Sequence, residues 1–131
     1  MLSDCRNRGN MMPNKDEHVD WATHDRNFWT SIDLDNSSFT DWAVTGMFYE
    51  SVHWIEAFLG TKGYHSGKHY DRLQNMVRYP SDLGTIQAEF NKLKQDSEDC
   101  RYKCSRIHTA TEARQFIPLV DKIKNHISQL I

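Results

Sequence analysis

Apolar residues recur three and four positions apart along most of the chain, and polar interruptions divide that pattern into five helical stretches. In EHVDWATHDRNFWTSID, Trp21, Ala22, Phe28, Trp29 and Ile32 keep the spacing and LDNSS ends it, which predicts a first helix. Ser38 followed by Asp41 has the spacing of a capping box and opens a second helix over DWAVTGMFYESVHWIEAFLGTK. Within it Val44, Phe48, Val52, Ile55 and Leu59 form one stripe. Trp42 and Tyr49 lie on one flank, and Met47, Trp54 and Phe58 on the other. Apolar surface on so many sides predicts a central helix packed on several neighbours.

A short third helix is expected over about residues 66–78, with Tyr70, Leu73 and Met76 inward and Pro80 closing it. The fourth, from near Ser81, carries a seam of Leu83, Ile86, Phe90, Leu93, Ser97, Cys100 and Cys104. Thr109 and Glu112 cap a last helix whose stripe runs from Ala113 through Val120, Ile123 and Ile127 to Leu130. Pro118 lies inside that pattern, so a kink or a late start is expected. With no strand pattern and no repeat, the expected fold is all-α: an antiparallel four-to-five-helix up-and-down bundle over residues 17–131, behind a flexible polar leader at 1–16.

Composition agrees with one core. A chain of 131 residues fits one domain, and its four tryptophans, six phenylalanines and five tyrosines supply large side chains to bury. A net charge of −2 excludes a global basic field that would gather nucleic acid, so any RNA contact has to be local. No apolar run reaches the roughly 18 residues that span a bilayer, and three cysteines do not make a secreted disulfide framework. The expectation is a cytoplasmic protein without membrane contact.

Candidate chemistry concentrates in DSEDCRYKCSRIH, where Arg101 and His108 enclose six residues. RNA cleavage without a metal needs a proton acceptor and donor and a cation for the phosphate, roles that suit histidine and arginine. On an unbroken helix the two would stand about 10 Å apart along the axis, so the helix has to end near 103–105 for His108 to fold back. The alternative is an arginine bonding the last carbonyls of the helix beside a hydrated histidine. Cys100, Cys104 and His108, spaced four and four, could line up as metal ligands. Structural zinc usually takes four, however, and the cysteines fit the seam as small apolar residues, so no metal or cofactor is assigned. HSGKHYDR gathers His65, His69 and Arg72 where a helix N-terminus favours an anion. His53, deep in the second helix beside Tyr49, is either a hydrogen-bonded core residue or part of a pocket wall.

HVDWATHDRNFW, DWAVTGMFYESVHWIEAFL, the GYHSGKH turn with its arginine and SEDCRY, in that order across residues 18–131, resemble the HEPN-domain family of small prokaryotic proteins. The resemblance implies a helical bundle that forms a homodimer. It also implies, in the cleft between protomers, a metal-independent ribonuclease site whose arginine and histidine map onto Arg101 and His108. Tyr102 follows the arginine where many members carry a polar residue. Other members of the family are non-catalytic modules that bind a nucleotide, RNA or a partner, some beside a small nucleotidyltransferase, in toxin–antitoxin and defence systems. For such a module Tyr49, His53, His65, His69, Arg72 and Tyr102 are the expected binding residues.

Overall fold

A computed structural model describes residues 13–103 and 108–131; the proposed leader up to residue 12, and Cys104, lie outside the described residues. All regular structure among them is helical. Helix α1 spans Lys15–Thr30 and α2 spans Thr40–Thr61. Helix α3 is short, His69–Met76, and α4, Pro80–Leu83, leads through one 3-10 turn at Gly84–Ile86 into α5, Gln87–Tyr102. Helices α6, Ala110–Arg114, and α7, Ile117–Leu130, complete the chain. Because α4 to α5 and α6 to α7 run almost without interruption, the seven segments make five helical units.

The first helix begins two residues before the expected boundary. Asn14 is its cap: the Asn14 side chain accepts from the Glu17 amide at 2.9 Å, and Glu17 accepts from the Asn14 amide at 3.2 Å. The expected Ser38 box is absent. Phe39 occupies the cap position of α2 without a side-chain bond, and the Phe39 amide donates instead to Ser37 Oγ. Thr109 and Glu112 do form their box, but it serves only the five residues of α6. The helix then breaks and restarts with Pro118 in the first turn of α7, where a missing N–H leaves no intrahelical bond unmade.

Helix α2 is the axis of the molecule, buried from Ala43 to Leu59 except at Tyr49. Helix α1 runs antiparallel to it. Asn14 and Lys15 lie beside Gly60, Arg26 beside Glu50, and Trp29 beside Gly46. Helices α5 and α7 are likewise antiparallel, with Lys122 on Glu89 at 2.8 Å and His126 on Thr85 at 3.2 Å. Phe48, Phe58, Phe90, Ile55 and Ile123 are among the fully buried side chains between these layers. The expected inward face of the third helix is only partly kept. Met76 is buried, but Tyr70 is 58% exposed, because the helix starts at His69 and turns Arg72 toward the core in its place.

Gly46 sets how closely the first two helices approach. A Cβ there would stand 2.9 Å from Trp29 Cβ, which is fixed directly to the α1 backbone and cannot swing aside, and 3.1 Å from the Phe28 ring. Alanine is the better helix former by about 1 kcal/mol. Nevertheless Gly46→Ala is expected to destabilise the protein by about 1–3 kcal/mol, since overpacking outweighs propensity. Urea unfolding followed by circular dichroism measures it, and a stabilised variant would show that the helices can separate freely.

Candidate functional site

The buried face of α1 consists of His18, Ala22, Asp25 and Trp29, at helical spacing, so two ionisable residues sit inside a stripe that looks apolar from its aromatics. They meet a second polar stripe, Glu50, His53 and Glu56, on α2. Buried charges persist only when they are paired or neutralised, and each of these is handled differently.

Glu50 is fully buried and accepts three bonds: Trp29 Nε1 at 2.7 Å, Trp54 Nε1 at 2.8 Å and Arg26 Nε at 2.9 Å. Arg26 reaches on to Asp121 of α7 at 2.8 Å, tying three helices together. Glu56 accepts from the Ser66 amide at 3.0 Å and from Arg72 Nε at 2.8 Å. Arg72 also donates through Nη1 to His69 Nδ1 at 2.8 Å. An arginine can only donate, so that ring nitrogen carries no proton. Burial, then the Arg72 charge beside it, pushes the His69 pKa down to about 4.

Between these nodes lie three imidazoles. His18 Nδ1 and His53 Nδ1 are 3.1 Å apart, and the His65 ring lies nearly parallel to that of His18 with centroids 6.0 Å apart. Burial first, and neighbouring cations or imidazoles second, lowers the His18 pKa to about 4 and that of His53 to about 3, so both rings are neutral at pH 7. Asp25 Oδ2 stands 3.8 Å from His53 Nε2. Burial and the Glu50 charge raise its pKa to about 7.

The second group surrounds Arg101, in the last turn of α5. Its guanidinium lies 5.3 Å from the centroids of the Tyr49 and Tyr102 rings and 5.7 Å from that of Phe48, distances suited to cation–π attraction. Nη1 donates to Ser97 Oγ, while the buried Nε has no hydrogen-bond partner among the described residues. The group borders an open cavity of about 330 Å³ lined by Asp41, Trp42, Thr45, Cys100, Arg101 and Tyr102. Trp42 is 48% and Tyr102 75% exposed at its rim.

Of the residues singled out by sequence, Arg101 and Tyr102 line this cavity, and the Tyr49 ring lies against the Arg101 guanidinium. His69 stands behind them, 5.6 Å from the Phe48 ring that also underlies Arg101. His53, His65 and Arg72 belong instead to the interior cluster. Arg72 is 3% exposed and committed to Glu56 and His69, so the expected surface anion patch in HSGKHYDR is a buried ion pair. The acid that claims Arg72 lies sixteen residues upstream, which local spacing does not reveal.

His108 does not line the cavity. Its ring stacks on Phe116 at 5.2 Å and lies 3.8 Å from Cys100 Sγ, and its carbonyl accepts from Thr40 Oγ1. Cys100 is also part of the cavity wall, so the arginine and the histidine flank the same cysteine; His108 itself is 3% exposed. Helix α5 ends at Tyr102, as the fold-back of His108 requires. Cys104, in the metal arrangement weighed above, lies outside the described residues.

Sequence reasoning missed His18, Asp25, Glu50 and Glu56. The available signal was the seven-residue spacing of His18 and Asp25, and the three-residue spacing of Glu50 and Glu56 on either side of His53, on helices otherwise apolar at the same positions. Fold and site together define an all-α protein with an ionic core and an arginine-lined surface cavity. No family model, curated protein or solved structure matches the chain. No helix among the described residues is long and apolar enough to cross a membrane.

Proposed function

We propose that this is a HEPN-like bundle that binds RNA or a nucleotide at the Arg101 cavity, the guanidinium taking a phosphate and Trp42 or Tyr102 stacking on a base. One observation carries the reading: a guanidinium set among aromatic rings in the wall of an open cavity. Arginine's planar fork suits phosphate, and base–aromatic stacking contributes about 1–3 kcal/mol per base without regard to sequence. Mild overall acidity fits a local contact better than a broad nucleic-acid surface.

Short single-stranded RNAs and mononucleotides titrated at low and near-physiological salt test it. Arg101→Ala is expected to weaken binding at least about tenfold and to flatten its salt dependence, and Tyr102→Ala to weaken it with the salt slope unchanged. Absence of binding by the unaltered protein at low salt, or indifference to Arg101→Ala, overturns the proposal.

A second reading, metal-independent RNA cleavage by Arg101 and His108, is favoured by the cysteine they share. It asks more of the site, because a proton has to pass between substrate and a ring that lies beneath the surface. Cleavage that survives chelator and disappears in a folded His108→Ala variant would establish it in place of simple binding. A homodimer that brings two such cavities to one cleft, or a small nucleotidyltransferase partner, is the setting the family resemblance adds to either reading.

A further inference from the structure

The His18, Glu56 and His65 side chains each offer a ligand atom, and the three atoms lie within 4.8 Å of one another. They come from α1, from α2 and from the link between α2 and α3, so only the assembled fold brings them together. In a tetrahedral zinc site with bonds of 2.0–2.1 Å, ligand atoms are about 3.3 Å apart. Closing from 4.8 Å asks for about 1.5 Å of side-chain rotation, and His65 hangs from a non-helical link just after Gly63, whose φ of +83° marks a turn.

Three further features point the same way. Both ring nitrogens of His65 are buried and have no hydrogen-bond partner among the described residues, an arrangement that costs about 1–3 kcal/mol per group unless something else satisfies them. His53 lies outside that group of three, but its Nδ1 is at hydrogen-bonding distance, 3.1 Å, from His18 Nδ1, a separation also close to that of two nitrogens on one tetrahedral ion, so it can move in as a fourth ligand. Asp25, whose carboxylate oxygens likewise have no hydrogen-bond partner, faces the opposite nitrogen of His53. A carboxylate behind an imidazole is the usual arrangement around a bound metal, where it fixes the ring's tautomer.

We propose that His18, His65 and Glu56, with His53 as the fourth ligand, form a buried zinc-class site that locks α1 to α2 and to the link leading into α3. Arg72 and the Ser66 amide hold the Glu56 carboxylate in place, and Asp25 orients His53. Within this core the carboxylates of Glu50 and Glu56 offset the guanidiniums of Arg26 and Arg72. With four protein ligands the site is closed, so its role is structural. It is independent of RNA binding at Arg101.

The full chain, stripped with chelator, is titrated with Zn²⁺ and separately with Co²⁺. Expected are one equivalent of Zn²⁺ per chain retained through gel filtration, a rise in Tm of roughly 10 °C at a hundredfold excess over Kd, and visible Co²⁺ bands of a tetrahedral site without thiolate charge transfer. His65→Gln is expected to abolish stoichiometric retention and Asp25→Asn to weaken affinity about 10- to 100-fold. Retention unaffected by His65→Gln, a thiolate charge-transfer band, or no stoichiometric zinc in the unaltered chain each overturns the assignment. Should His65→Gln fail to fold, the Co²⁺ spectrum of the unaltered chain decides alone.

Discussion

Replacing Glu50 by alanine is expected to lower the unfolding free energy by about 3–5 kcal/mol, the range for removing one partner from a buried ionic cluster. The loss comes less from missing attraction than from what is left behind. Two buried indole N–H groups, on Trp29 and Trp54, lose their acceptor, and Arg26 keeps only Asp121 on the solvent side. A typical domain holds about 5–15 kcal/mol in all, so a large share of the population could unfold. Glu50→Gln keeps the shape and one acceptor oxygen, and is expected to cost less. Urea unfolding of both variants measures the difference, and a loss below about 1 kcal/mol in Glu50→Ala would mean that water satisfies these donors instead. Because the Glu50 charge helps to hold the Asp25 proton on, the same change should also lower the Asp25 pKa.

The second large effect is a dependence of stability on pH, in the chelated metal-free chain. His18 and His53 titrate near 4 and 3 when folded and near 6.5 when unfolded. The unfolded chain therefore takes up their protons first on acidification. Their contribution is complete above pH 6.5 and is lost as pH falls toward 4 and 3. His69, also lowered to about 4, acts in the same direction.

Asp25 acts oppositely. Its folded pKa of about 7 lies above the ordinary 3.8, so its contribution is complete below the ordinary value and is lost as pH rises through 7. Three histidines against one aspartate leave a net loss of about two protons' worth between pH 6.5 and 4, on the order of several kcal/mol, with greatest stability close to pH 6.5. Asp25→Asn removes the opposing slope. That variant is expected to gain up to about 4 kcal/mol at pH 8 and to lose stability more steeply in acid. Denaturant midpoints from pH 4 to 8 measure both curves, and superimposable curves for the two proteins would contradict the burial of a protonated carboxyl.

Much of the scaffold is visible in the chain before it folds. The centrality of α2, the seam from Leu83 to Leu93 and the interruption at Pro118 follow from apolar spacing and backbone chemistry, both local. Other local signals misled where several competed. Ser38 and Asp41 have the spacing of a capping box, yet it is Ser37 Oγ that accepts from the Phe39 amide. Asn14, in the stretch taken for leader, forms a complete box with Glu17, the first residue of the expected bundle.

The sites divide in the same way. Arg101, Tyr102 and Tyr49 could be chosen from residue type, and two of them are chain neighbours. The meeting of Arg101 and Tyr102 with Trp42 at one cavity, and of Arg101 with the Tyr49 ring, depends on where α5 crosses the start of α2. His65 and Arg72 look like hydrated surface groups in HSGKHYDR, yet Glu56 draws Arg72 inward across sixteen residues of sequence.

Helix propensity and amphipathic spacing act over a few residues, so the chain alone shows that this protein is helical and which helix lies at the centre. That His18, Asp25, Glu50, His53, Glu56, His65 and Arg72 share one interior emerges from the packing of the helices. Charges and imidazoles in a low-dielectric core interact through space, so their partners and proton affinities are set by how helices pack and not by the residues beside them in the chain.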